Sequence, residues 1–187
     1  MTDAEEMPTA VVARDVLLRV ADDADRYAIH AALDAHWGRR GAVGYLWCIG
    51  RIEDGPAARV RLPVDHPDGK QGIAILAPVD GASLRFRLNV NITHKIGTTG
   101  KRASWPRHEL TPRLRWLERR AVESGFSIEQ VQADVSRAFI RKGKGFWIDD
   151  TRFSGTLRVT DRTRFANGLA DGIGQRSAFG FGLLETF

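Results

Sequence analysis

The first side chains whose types and spacing could carry chemistry are Tyr27 and His30, three residues apart in the run RYAIH. They lie in a stretch from about Asp25 to Trp37 whose apolar residues Ile29, Leu33 and Trp37 recur at helical spacing. On a helix the i, i+3 interval puts both rings on one face, while Ile29 and Leu33 turn toward a core. An imidazole titrates near neutrality and moves a proton in either direction, and a neighbouring phenol can donate to a phosphate oxygen or orient the ring. The same pair also fits a part-exposed histidine beside a half-buried tyrosine. His36, His66, His94 and His108 show no HxH, HxxxH or HExxH spacing, and Cys48 stands alone. No disulfide, metal centre or cofactor is therefore expected. Asp22, Asp23 and Asp25 read as capping residues for the helix. Neither a Walker loop nor a GxSxG elbow is present.

The second set of candidates is cationic. The 187-residue chain carries 28 Lys/Arg against 23 Asp/Glu, and the excess is uneven. Residues 1–80 have a net charge of −4 and residues 81–187 one of +9. A basic second half points to a polyanionic partner, and arginine, 23 of the 28 cations, is the better phosphate fork. Arg85 and Arg87 alternate in LRFRLNVN, so a strand there projects both from one face. Lys95, Lys101 and Arg102 follow in a loop from Thr93 to Trp105. Arg141, Lys142 and Lys144 occupy a KGKG loop with Phe146 and Trp147 beside it. Cationic loops with aromatics nearby suit RNA phosphates and unstacked bases; any one of them alone also fits a solvated loop. The third set is the tail GIGQRSAFGFGLLETF. Gly172 and Gly174 would close a helix and let backbone amides approach an anion, with Arg176 and Ser177 between the glycine pairs. Gly180 and Gly182 alternate, which would bare one face of a strand.

The elements that must position these groups follow from periodicity and punctuation. Strands are expected over Ala10–Val20, Tyr45–Ile52, Ala57–Leu62, Ile73–Ala77, Leu84–Asn91, within Ile128–Ile140, over Gly155–Val159, and, interrupted by glycine, over Ala178–Phe187. Helices are expected from Asp25 to Trp37, from Pro112 to Ser124 with Leu114, Leu117 and Ala121 as the apolar stripe, and from Asp161 through Leu169. The plan repeats, which predicts an α+β chain of tandem ferredoxin-like (RRM-type) domains with a C-terminal glycine-rich loop. The expected division is a flexible leader over 1–9, an N-terminal unit over 10–82 and a C-terminal unit over 83–187 with the basic face. A single α+β domain is the alternative. No apolar run reaches the ~18–20 residues of a membrane span. The opening MTDAEEMPTA is acidic and polar, unlike a signal or transit peptide, so a cytoplasmic protein without a membrane partner is expected.

Taken together, these residues resemble a known family, the CRISPR repeat-processing endoribonucleases, and within it the CasE subunits of type I-E Cascade. The tail GIGQRSAFGFGLL looks like that family's glycine-rich loop, and FSGTLRVTD looks like the strand before its last helix. LRFRLNVN with GKR downstream is similar to its central strand and basic loop, and RYAIH resembles its Tyr-x-x-His signature. The likeness runs from about Val11 to Phe187. It implies tandem ferredoxin-like domains, metal-independent cleavage of precursor CRISPR RNA at the base of a repeat hairpin, and retention of the product alongside other Cascade subunits. It further implies that His30 is the general acid or base and Tyr27 its neighbour at the scissile phosphate. Lys95, Lys101 and Arg102 would grip the hairpin, and the loop from Gly172 to Gly182 would bear on the RNA or support the site. Two other readings remain at this level: a non-catalytic hairpin-binding subunit of a type I-E or type IV complex, and a ferredoxin-like protein with no RNA role.

Overall fold

The computed structural model describes residues 10–187 except 39, 54, 99 and 176, with the backbone alone at 40, 41, 51 and 177. Within them the chain builds one split βαβ plan twice. The first half runs β1 (Val11–Arg19), α1 (Arg26–Trp37), a short α2 (Arg40–Val43), β2 (Leu46–Ile52), β3 (Gly55–Leu62), a 3-10 turn over Pro67–Gln71 and β4 (Ile73–Leu76). Its antiparallel sheet has the order β2-β3-β1-β4. The second half runs β5 (Ser83–Val90), a two-strand insert of β6 (His94–Lys95) and β7 (Arg102–Ala103), α3 (Thr111–Glu123), β8 (Phe126–Ile140), β9 (Phe146–Val159), α4 (Arg162–Asp171), a 3-10 turn over Ser177–Phe179 and β10 (Leu184–Thr186). Its order, β10-β5-β9-β8, is the same arrangement, with the first strand of the unit between the third and the fourth. That is the ferredoxin-like order, so the tandem α+β fold expected from the sequence is present.

Local chemistry sets the helix ends. Asp25 caps α1 by accepting from the Ala28 amide at 2.8 Å, and Gly38 stops it at φ +86°. Asp161 caps α4 in the same way through the Arg164 amide. Ile29 and Leu33 of α1 pack on Tyr45, Trp47, Ala58 and Val60, forming the first core. Phe86, Leu88 and Val90 of β5 meet Leu117, Phe153, Phe165 and Leu169 in the second.

Several expectations change, and the loop expected from Thr93 to Trp105 carries the paired strands β6 and β7. A 3-10 turn over Pro67–Gln71 stands between β3 and β4, where the polar Pro/Gly composition predicts only a loop. The strand expected at Gly155–Val159 is the far end of a 14-residue strand that starts at Phe146. Asp149 and Thr151 are buried in it, and two polar residues on an inward face hide the alternation. The glycine tail is not a strand over Ala178–Phe187: only Leu184–Thr186 pairs with β5. Gly172, Gly174, Gly180 and Gly182 have φ of +81°, +97°, +75° and +88°, in the left-handed region that a strand excludes. Among the described residues no helix is long and apolar enough to cross a membrane.

Candidate active site and nucleic-acid interface

The N-cap geometry of α1 fixes which way Tyr27 and His30 point, and both are half-buried on the face turned to the second half of the chain. Their ring centroids are 6.4 Å apart, edge to face, and His30 makes a second edge contact with Phe179 at 5.9 Å. The His30 side chain is 20% exposed. Its Nε2 lies 3.6 Å from Oδ2 of Asp34, one turn on, which is inside ion-pair range but beyond a hydrogen bond. Asp34 is itself held by the Tyr45 hydroxyl, which donates to Oδ1 at 2.6 Å. Nδ1 of His30 is buried with no hydrogen-bond partner among the described residues. The imidazole is thus fixed in position by aromatic contacts, with its Nε2 turned toward Asp34.

Two segments remote in sequence complete the surroundings. The KGKG turn joining β8 to β9 folds onto α1, where the second carboxylate oxygen of Asp25 accepts the Arg141 amide at 2.9 Å. Lys142 then stands with Nζ 5.7 Å from the Tyr27 ring centroid. The glycine-rich segment passes beneath. Arg26, next to Tyr27 and buried, donates to the carbonyls of Phe179 and Gly180 at 3.0 and 3.2 Å and to Oδ2 of Asp150 at 3.0 Å. Its guanidinium also lies 4.3 Å from the Phe181 ring centroid. A cation, a phenol and an imidazole therefore converge at the seam between the two halves, a group suited to holding a phosphate and moving a proton near it.

The glycines act as packing. A side chain at Gly180 would strike the Trp47 ring and Arg26, and one at Gly174 would press on Trp116. The amides of Gly172 and Gly182 donate to Gly168 and Asn89 carbonyls, and the Ile173 amide to the Gly182 carbonyl. The bare strand face expected at Gly180 and Gly182 gives way to a tight support under α1, and of the two amides expected to approach an anion, at Gly172 and Gly174, that of Gly172 is already spent on the Gly168 carbonyl.

Beyond that loop lies the basic surface. Arg102 is braced by Thr93, its Nε donating to the hydroxyl at 2.8 Å, and Lys95 is exposed in the paired strand. Lys101 is exposed in the same insert. The insert is anchored to α3: His94 stacks on Trp105 at 3.8 Å, and Arg113 donates to the Trp105 carbonyl at 2.8 Å. Arg113 is fully buried on Asp149 and Thr151, at 2.7 and 2.6 Å. Between the insert, α3 and the glycine loop is a recess of about 70 Å³ lined by Asn91, Arg102, Trp116, Arg119, Arg120 and Gln175. Sequence reasoning misses Arg119 and Arg120, although four arginines in RLRWLERR preceded by Pro112 are legible as a cationic helix, with Arg115 and Arg119 one turn apart on its exposed side.

The other cationic candidates do not join this site. Arg85 and Arg87 are exposed on the far face of the second sheet, away from α3 and α4. Lys144 and the Arg141 side chain are exposed at the hairpin tip. The leader over 1–9, Arg176 and the side chain of Ser177 lie outside the described residues. Among the described residues no three His, Cys, Asp or Glu side chains gather where they could hold a metal ion. Cys48 is buried, and that burial, reinforced by Glu185, pushes its thiol up to about 12.

The family model described as CRISPR associated protein matches residues 13–186. The CRISPR-associated endoribonuclease Cse3 of Thermus thermophilus is 34% identical over 122 residues, covering 57% of this chain. That alignment spans 56% of the relative's own length. Among solved structures, Thermus thermophilus Cse3 bound to an RNA representing a pre-cleavage complex superposes with a TM-score of 0.72 at 27% identity, covering 93% of this chain and 99% of that one. A structure of CRISPR endoribonuclease Cse3 bound to a 19-nucleotide RNA gives a TM-score of 0.73 at 26% identity, covering 94% and 99%.

Proposed function

The chain belongs to the CRISPR-associated protein family, and from that premise and the geometry of the seam we propose that it is an endoribonuclease of the type I-E kind. On this reading it cuts precursor CRISPR RNA at the base of the repeat hairpin without a metal ion, then keeps the hairpin as a subunit of an effector complex. The likeness to RNA-bound Cse3 supports the substrate class. The observation that carries the reading is the meeting of His30, Tyr27 and Lys142 at the seam, and a recess lined by Arg102, Arg119 and Arg120 on the second half of the chain supports it.

The chemistry needs little from the protein beyond placement. RNA supplies its own nucleophile, the 2′-hydroxyl beside the scissile phosphate. Attack on phosphorus breaks the bond to the 5′-oxygen and leaves a 2′,3′-cyclic phosphate and a 5′-hydroxyl. His30 either takes the 2′ proton or delivers one to the departing 5′-oxygen, within reach of the phosphate that Lys142 and Tyr27 would steady. The glycine loop holds α1 in place from below. We divide the chain accordingly: the unit over 10–82 brings the histidine, and the unit over 83–187 grips the stem. Lys95, Lys101, Arg102, Arg119 and Arg120 would follow the phosphates.

The test is incubation with the host repeat RNA in EDTA, wild type against His30→Ala, with analysis of the product ends. Cleavage by the wild type alone, with cyclic phosphate ends and unchanged hairpin binding by the variant, is the expected result. Cleavage that depends on Mg²⁺, or that survives in the variant, defeats the mechanism. Hairpin binding with no cleavage by either protein would favour the non-catalytic subunit.

A further inference from the structure

The open face of the second sheet is built like a second nucleic-acid site. A groove of about 630 Å³ runs across it, lined by Arg85, Arg87, Gln130, Gln132, Ser154 and Phe187 among others. Phe86, Leu88 and Val90 turn the opposite way into the core, so the two arginines stand free of the helices. A bulge in β8 between Ile128 and Gln130 resets the strand, so that Gln130 and Gln132 fall on this face while Val131 and Ala133 pack inward. The bulge is fixed by Gly155: any Cβ there would collide with the Gln130 carbonyl. Bulges commonly re-aim side chains at functional sites, and here one delivers two amides to a groove floor.

The polar groups on this face are left for something else to use. Arg85 and Arg87 make no ion pair among the described residues, whereas the carboxylates beside them are committed. Glu129 accepts from Ser83 at 2.6 Å and pairs with Arg158 at 2.7 Å, which holds its carboxyl below the usual range. Glu185 pairs with Arg59 of the other sheet at 3.4 Å. Phe187 is 52% exposed, its amide tied to the Arg85 carbonyl and its ring 5.7 Å below the Arg87 guanidinium. An exposed aromatic ring, two guanidinium groups without carboxylate partners and a row of amides and a hydroxyl match the needs of an unpaired nucleotide: a stacking surface, phosphate partners and base-edge donors and acceptors.

We propose that this face binds single-stranded RNA adjoining the hairpin, at a site separate from the seam. Ser154 lies eight steps along β9 from Phe146 at the hairpin tip, roughly 26 Å at strand rise, so the two sites would engage different parts of one RNA. The proposal rests on the RNA reading above, and its test keeps the two apart. Binding is measured in the His30→Ala background with three RNAs: the repeat hairpin alone, and the hairpin with a short oligouridine extension at its 5′ or its 3′ end. One extension should tighten binding about tenfold, from one stacked base and its phosphates. Phe187→Ala should remove that gain and leave hairpin affinity unchanged. Arg85→Gln with Arg87→Gln should lower the salt slope of the extended RNA by about 1.4, at about 0.7 per single-strand phosphate contact. Hairpin binding that neither extension improves, or a gain that survives these substitutions, overturns the proposal and leaves the face to an acidic protein segment. Failure to bind any of the three RNAs overturns the proposed function, and this inference with it.

Discussion

Arg26 is the residue whose removal most directly tests how the seam is held. It reaches from α1 to two carbonyls of the glycine loop and to Asp150 of β9, with the ion pair 9% and 15% exposed on its two sides. Arg26→Met keeps most of the volume and removes every one of those contacts, leaving the Asp150 carboxylate stranded. Breaking a buried pair from one side costs about 3–5 kcal/mol, and the residual exposure here puts the expectation near 3 kcal/mol. Part of that loss is the unpartnered carboxylate, so Asp150→Asn in the same chain should restore about 1–2 kcal/mol. Because Phe179 edges onto His30, freeing the loop should also lower single-turnover cleavage about tenfold or more while hairpin affinity moves little. Urea unfolding of the two single variants and the double variant, with single-turnover kinetics on each, provides the measurement. Loss below about 1 kcal/mol with an unchanged cleavage rate would refute the latch; strictly additive single and double variants would refute the coupling.

Other consequences are simpler to read. Lys142→Ala should slow the cleavage step by about a hundredfold, as loss of a charge-stabilising donor does, with hairpin affinity almost unchanged; rapid-quench kinetics on bound RNA checks this. Arg102→Ala and Arg119→Ala should each weaken hairpin binding and lower its salt slope by about one, with no effect on cleavage of RNA already bound, which a titration series in KCl resolves. Cys48, its thiol pushed up from an ordinary 9.0 to about 12, should resist a disulfide reagent at pH 8 until the protein is unfolded in denaturant. The sign of its linkage follows: the folded state holds the proton more tightly, so the thiol's contribution is intact below pH 9 and is lost as pH rises toward 12. Cys48→Ala should flatten the decline in stability over that alkaline window.

Much of the fold is legible because its signals are local. The alternation in LRFRLNVN, the Asp caps of α1 and α4, and the stripe of Leu117 and Ala121 each need only a few neighbouring residues to be read. The pairing of Tyr27 with His30 is legible for the same reason. What the sequence hides is long-range or runs against the usual distribution of charge. Lys142 reaches Tyr27 because Asp25 captures a backbone amide 116 residues away and Tyr27 packs in one cluster with Ile140 and Phe146 of the same hairpin, contacts that no local pattern reveals. Arg26, Arg61 and Arg113 look like surface cations in a string, yet they are 8%, 2% and 0% exposed. Gly180 and Gly182 keep the two-residue spacing of a strand, and only their positive φ reveals a turn.

Two of those buried arginines, Arg26 and Arg61, tie one half of the chain to the other. Arg61 grips Asp15 with two nitrogens and spends the third on the Leu169 and Leu184 carbonyls of the other half. Arg26 does the equivalent in reverse, from α1 to Phe179, Gly180 and Asp150. An apolar seam tolerates sliding, since dispersion contacts are nearly interchangeable; a guanidinium with several fixed acceptors does not, because a small shift leaves buried groups unpaired. The imidazole belongs to one half and the cationic surface to the other, so under the proposed mechanism the precision of proton transfer would be set by this seam and not by either core. Apolar replacement of Arg61 and Asp15 together removes the buried ion pair at little net cost but strands the Leu169 and Leu184 carbonyls, so urea unfolding should show a loss of about 1–3 kcal/mol, and under the proposed mechanism single-turnover cleavage should fall as the histidine loses its register against the phosphate.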